Sequence, residues 1–240
     1  MSSQPVGVQV HLAIPLTSMH HAGVICQAAY PDKLRGAISS WSSAERRYGG
    51  KSAPERRAER REQLLDAGLE LFGTDGYAAT TIEALCVRAG LNPRYFYEQF
   101  PGREQLLGAV YERHVQEVLT GVQTAIDGAG NDRARRLEAG LRAFVEATLD
   151  DERGARVNYF EMIGVSRELD ELRRRVLGDY ARLIASEAAD GAGAVDLRMA
   201  AVALVGATDG LIIDWLSGER ARPREAIVTT LLAIFEPVVG

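Results

Sequence analysis

Thr81, Asn92, Arg94, Tyr95 and Gln99 are the residues of this chain best suited to chemistry, and the chemistry is that of nucleic-acid recognition. An arginine fork such as Arg94 can pair in a bidentate way with guanine O6 and N7, worth about 1–3 kcal/mol of discrimination; a solvated surface arginine is the plainer alternative. Thr81 stands at a helix start, where a hydroxyl and free N–H groups suit a phosphate oxygen, and it is equally suited to capping that helix. Gln99 can reach a phosphate or a base. Glu98 puts a negative charge beside these groups, able to accept from cytosine N4 or to point away.

These side chains need short helices to hold them. Ser52-Ala-Pro-Glu55 has the spacing of a capping box, with Pro54 tolerated in the first turn. Leu64, Ala67, Leu71 and Phe72 then repeat at helical steps, and Gly73 and Gly76 end that helix. Thr80-Thr-Ile-Glu83 is a second capping box, followed by Ile82, Leu85, Cys86 and Ala89, with Gly90 as a stop suited to positive φ. Asn92 and Pro93 start a third helix that runs through Tyr95, Phe96 and Tyr97 to about Phe100. Pro101-Gly102 breaks it, and a long helix starts near Arg103. Three short helices with a tight second turn make a helix-turn-helix, whose last helix enters the major groove by its N-terminal end. Arg56, Arg57, Arg60 and Arg61 open the first helix among Glu55, Glu59 and Glu62, either as a phosphate grip or as a solvated face of ion pairs.

The ordered set Ala67, Leu71, Phe72, Gly76, Tyr77, Thr80, Thr81, Ile82, Leu85, Ala89, Gly90, Leu91, Tyr97, Phe100, Arg103, Glu104 and Leu106 resembles the TetR family of bacterial transcriptional regulators. The resemblance covers about a sixth of the chain. It implies that Tyr97 contacts a backbone phosphate through its hydroxyl. It also puts Arg103, where the family usually has lysine, as a phosphate clamp just after the reading helix. One departure stands out: Arg94-Tyr95 replaces the small pair usual in the family, so no operator sequence carries over. The implied function is a DNA-binding regulator, by family default a repressor released by an unknown small-molecule effector. The alternative is the same fold kept as a ligand-binding or protein-interaction module with weak or lost DNA binding.

The resemblance assigns residues 103–240 to effector binding and dimerisation, after an extension at 1–50 and a DNA-binding domain at 51–102. From Leu106 onward the pattern stays helical, so the expected fold is all-α. Leu204, Thr208, Leu211 and Trp215, with Ile227, Leu231, Ile234 and Phe235, form two apolar stripes fit for a four-helix homodimer interface or for the core of a monomer. Gly206 and Gly210 add a flat lane beside the first. Tyr159, Phe160 and Met162, with Phe144 and Tyr180, are the candidate ligand contacts, or simply core. A two-fold dimer would read a palindromic operator in double-stranded DNA.

The net charge is −5, spread as +2 over residues 1–50, −1 over 51–114 and −6 over 115–240. Local basic groups rather than chain totals govern DNA affinity. Residues 1–50 hold many breakers and read as a disordered extension, or as an arm touching DNA through Lys33, Arg35, Arg46 and Arg47. Cys26 and Cys86 stand alone, so neither a zinc site nor a disulfide framework is expected. The four histidines, His11, His20, His21 and His114, fall in no catalytic motif, so no enzyme, metal or cofactor is expected. No signal peptide and no run of eighteen apolar residues occur, which points to the cytoplasm and away from a membrane.

Overall fold

The computed structural model describes residues 52–187, 196–218 and 223–239. They form α1 (Ala53–Thr74), α2 (Ile82–Ala89), α3 (Pro93–Tyr97), α4 (Arg103–Gly128), α5 (Arg133–Asp150), α6 (Glu152–Arg156), a π-helical turn (Val157–Glu161), α7 (Arg167–Glu187), α8 (Leu197–Ser217) and α9 (Arg224–Val239). No strand occurs among the described residues, as the all-α reading expects. The extension at 1–50 lies outside them.

Local chemistry explains the head. The Glu55 N–H donates to Ser52 Oγ at 3.3 Å while the Ser52 N–H donates to the Glu55 carboxylate at 2.6 Å, closing the capping box that starts α1. Gly76, at φ +91°, takes the left-handed position that ends the helix. Gly90, at φ +66°, does the same for α2, and the Leu91 N–H closes on the Cys86 carbonyl at 2.9 Å. α3 is shorter than the expected run to Phe100. The N–H groups of Gln99 and Phe100 both converge on the Phe96 carbonyl at 2.9 Å, tightening the last turn into Pro101-Gly102.

The core of the head does not stop at α4. Leu64, Phe72, Leu85, Phe96, Leu106 and Tyr111 pack in one buried cluster with Val157, Met162, Leu169 and Val176. The three short helices are therefore seated on the π-turn and α7 as well as on α4. A second cluster joins Leu141, Val145 and Tyr159 to Leu204, Ile212, Leu231 and Phe235.

Two glycines allow the closest approaches between these parts. A Cβ on Gly73 would stand 2.6 Å from Arg153 Cα, and one on Gly154 would stand 2.4 Å from His114 Cε1. His114 is buried, and that burial pushes its imidazole pKa down, so the packed ring is neutral. Gly154→Ala is expected to cost about 1–3 kcal/mol by overpacking against this ring, read as a lower Tm in thermal denaturation. An unchanged Tm would contradict the packing.

The C-terminal helices correct the expected stripes. Leu204, Thr208, Ile227, Leu231 and Phe235 are buried within the single chain. The hydroxyl of Thr208 donates to the Leu204 carbonyl at 2.9 Å, and Trp215 lies beneath Arg224 at 5.7 Å. Leu211 and Trp215 are half-buried against the second cluster, which leaves Ile234 as the exposed member. The stripes face inward because α8 and α9 must first cover their own core. The outward face of α8 carries Met199, Val202, Gly206 and Gly210, with Met199 71% and Val202 58% exposed. With a mean hydropathy of 1.6, α8 is long and apolar enough to cross a bilayer, although no unbroken apolar run signals it.

Candidate nucleic-acid interface and effector cavity

On α3, Phe96 is fully buried and fixes the orientation of the helix. Arg94 and Glu98 each lie two residues from it, about 200° round at helical spacing, so they share the outward face. Asn92 caps the helix by accepting from the Arg94 N–H at 3.0 Å. The Arg94 side chain is 83% exposed, and its Nε donates to Glu98 Oε1 at 3.2 Å. Tyr97 is also exposed, and Tyr95 lies under the guanidinium of Arg60 at 4.4 Å.

α1 braces this helix. Arg57 donates to the Glu98 carbonyl at 3.2 Å, and Gln99 returns a bond to the Arg57 carbonyl at 3.3 Å. Arg60 stands 3.9 Å from the Glu98 carboxylate, and Arg61 covers the Phe100 ring at 4.6 Å. Three of the four arginines at the start of α1 thus hold the reading helix in place. Neither a bare phosphate grip nor a solvated face describes them. Gln99 has one amide hydrogen committed to the scaffold.

Thr81 caps α2, its hydroxyl accepting from the Ala84 N–H at 3.1 Å. The residue is exposed and keeps its own hydroxyl proton for a further acceptor. Arg103 also packs against the head. Its guanidinium donates to the carbonyls of Tyr77 (3.1 Å) and Thr80, and covers the Tyr77 ring at 4.9 Å. Both bonds come from Nη1 and tie the side chain to the loop before α2.

The larger half encloses a cavity of about 750 Å³ of empty space, counting its mouth. Its wall is apolar, with Val122 and Ile126 from α4, Leu141 and Phe144 from α5, Ile184 from α7, Val205 from α8 and Phe235 from α9. Phe144 and Tyr180 meet edge to face at 5.6 Å and both line it. Arg136 brings a cation to the wall, its Nη1 also donating to the Ile126 carbonyl at 3.2 Å. Asp209 lines the cavity too, paired with Arg173 at 3.1 Å and hydrogen-bonded by Tyr159. Burial pushes the Asp209 carboxyl up, against the pull of Arg173.

Three of the five expected ligand contacts fall elsewhere. Tyr159 is buried in the second core, Met162 is buried in the core of the head, and Phe160 is exposed. They lie in and beside the π-turn, which is closed by the Met162 N–H on the Val157 carbonyl at 3.2 Å, and successive residues of a helical turn point to different sides. Between Phe160 and Met162, Glu161 reaches the head itself. Its carboxylate accepts from the Tyr77 N–H at 2.7 Å and pairs with Arg156 at 3.0 Å.

A family model described as "Bacterial regulatory proteins, tetR family" matches residues 64–110. The chain is 30% identical over 176 residues to the HTH-type transcriptional activator FasR of Mycolicibacterium smegmatis, covering 72% of this chain and 79% of that protein. The chain belongs to the TetR family. It is a DNA-binding transcriptional regulator, and the family is non-enzymatic. Solved structures of bacterial regulators share its fold. One is the fatty acid degradation regulator FadR from Bacillus halodurans, with TM-score 0.65, 18% identity, and coverage of 73% of this chain and 94% of that one. Another is FadR from Bacillus subtilis in complex with stearoyl-CoA, with TM-score 0.64, 17% identity, and coverage of 72% and 96%.

Within the TetR head, the match at 64–110 takes in α2, α3 and the start of α4, and with them the positions from Thr81 to Arg103 expected to touch DNA. Sequence reasoning missed Glu161, Arg136 and Asp209. Asp209 carried a signal, a carboxylate inside the apolar run of α8. Glu161 carried none, because its partner is a backbone N–H 84 residues away.

Proposed function

We propose that this regulator binds a long acyl chain, carried as a thioester of coenzyme A, and that the bound form holds DNA less tightly. The observation that carries this is the apolar cavity among five helices, with Arg136 on its wall. The apolar wall suits the chain, and Arg136 suits the polar end. FadR from B. subtilis, which has this fold, takes stearoyl-CoA. For the sign of regulation the reading follows the 30%-identical relative, an activator, in place of the repressor default. The active form is a homodimer joined through the outward face of α8 together with Ile234 of α9, reading a palindromic operator. Arg94 reads a base, while Thr81, Asn92, Tyr95, Tyr97 and Gln99 contact the backbone or flanking edges.

Coupling runs through an element with two available arrangements. π-Turns are rare and gather at functional sites. Loss of the extra residue in this turn would rotate the downstream residues by about 100° and take Glu161 off the Tyr77 N–H. A chain in the cavity that displaces Asp209 and Tyr159 favours that state, a population shift and no more than that.

Titration calorimetry tests the ligand. Stearoyl-CoA is expected to bind far more tightly than acetyl-CoA or free coenzyme A, and Val205→Trp, which fills the cavity, is expected to abolish binding. Equal affinity for acetyl-CoA, or full binding by Val205→Trp, would sink the proposal. Glu161→Ala is expected to keep stearoyl-CoA binding while losing most of the ligand's effect on DNA affinity; an unchanged effect would remove Glu161 from the route.

A further inference from the structure

The charge arrangement on α3 has a use beyond holding the helix. Glu98 is an acidic residue on the outward face of a DNA-reading helix, where phosphate repels it, and it shares that face with the exposed Arg94. Its carboxylate is turned toward two arginines, meeting Arg94 Nε at 3.2 Å and Arg60 at 3.9 Å. A guanidinium has two donating edges, one made of Nε with a terminal nitrogen and one made of the two terminal nitrogens. Glu98 occupies Nε. The end-on fork of Arg94 remains, and that fork matches guanine O6 and N7.

We propose that Glu98 is a specificity-determining residue, a buttress that presents the terminal fork of Arg94 to a guanine and withholds Arg94 and Arg60 from indiscriminate phosphate contact. On a non-cognate duplex, an arginine that swings round to a phosphate gives up its Glu98 contact, and the carboxylate is then left facing the DNA. On the cognate duplex, Arg94 keeps Glu98 and gains the base. The buttress thus penalises the wrong sequence more than it assists the right one, a form of selection by cost. Arg60 contributes from the side, stacked over Tyr95 at 4.4 Å, so releasing it also loosens the ring at the groove wall. This rests on Arg94 as the base reader.

The test uses the full chain, a duplex selected by the wild type from a randomised pool, and a scrambled duplex of equal length, with affinities measured across a salt series. Glu98→Ala lies at an exposed position and leaves the backbone bonds of α3 in place. It is expected to raise affinity for the scrambled duplex roughly two- to tenfold, the scale of one or two exposed ion pairs. It is expected to steepen the salt dependence on that duplex by about 0.9 for each arginine released to phosphate. The ratio of selected to scrambled affinity falls. In an Arg94→Ala background the same change is expected to leave the part of that ratio due to Arg94 with nothing further to lose. An unchanged ratio and slope would overturn the buttress, as would an equal loss on both duplexes. If Arg94→Ala alone leaves the preference intact, the base-reading assignment fails first. A wild type that selects no duplex overturns both.

Discussion

Val202→Glu is expected to give a folded, monomeric chain that binds its operator roughly 100- to 10,000-fold more weakly than wild type, the range by which linked binding exceeds single-site binding. Val202 is 58% exposed on a helix whose neighbouring residues Met199, Gly206 and Gly210 are exposed as well. Among the described residues nothing comes within 4 Å of a Cβ built on Gly206 or Gly210, so this lane is open to a second helix. A charge placed there costs the monomer little, but in a dimer it must be desolvated against the partner. Two heads on one frame bind two half-sites with the avidity of an intramolecular second step, and a monomer forfeits that factor. Light scattering reads the mass and fluorescence anisotropy reads the affinity. A fully dimeric Val202→Glu chain would remove the outward face of α8 from the interface. Leu231 makes a poorer test, since it is fully buried and a charge there would disrupt the monomer first.

Arg94→Ala is expected to cost roughly 5- to 150-fold on the selected operator, the equivalent of about 1–3 kcal/mol for one bidentate base pairing. The loss should fall on sequence preference at one position of each half-site, and binding to unrelated DNA should change little. Tyr97→Phe makes the contrast. If its hydroxyl meets phosphate, its loss weakens binding on all sequences alike. Arg94 is the sharper probe because its side chain is 83% exposed and bears no packing load, so truncation leaves the head intact. Competition with single-base variants of the operator measures the preference, and an unaltered profile would reassign the base reader.

Signals between near neighbours in the chain are legible in the residue order alone. The capping residues Ser52, Thr81 and Asn92 and the stop glycines Gly76 and Gly90 fix the ends of helices within a few residues. Phe72, Leu85, Phe96 and Leu106 mark which faces turn inward. Arg94 stands out because its surroundings are polar and it opens a short helix. Information carried between distant segments is not legible in that way. The stripe from Leu204 to Trp215 reads as an interface, because periodicity tells that a face is apolar and not which partner covers it. Met162 and Phe160 read as pocket beside Tyr159, but the first is buried in the core of the head and the second is exposed. Arg103 reads as a phosphate clamp, and nothing in the residue order shows its bonds to the Tyr77 and Thr80 carbonyls. Glu161 reaches across 84 residues to a backbone group that no side-chain pattern encodes.

Whether occupancy of the cavity sets the affinity of the head for DNA is read from the operator affinity of the wild-type chain, measured by anisotropy with and without saturating stearoyl-CoA. The ligand is expected to weaken binding by roughly 5- to 150-fold, the usual reach of coupling between two sites. A reciprocal loss of stearoyl-CoA affinity is expected when operator is present. An operator affinity that stays the same with the ligand bound would contradict that coupling.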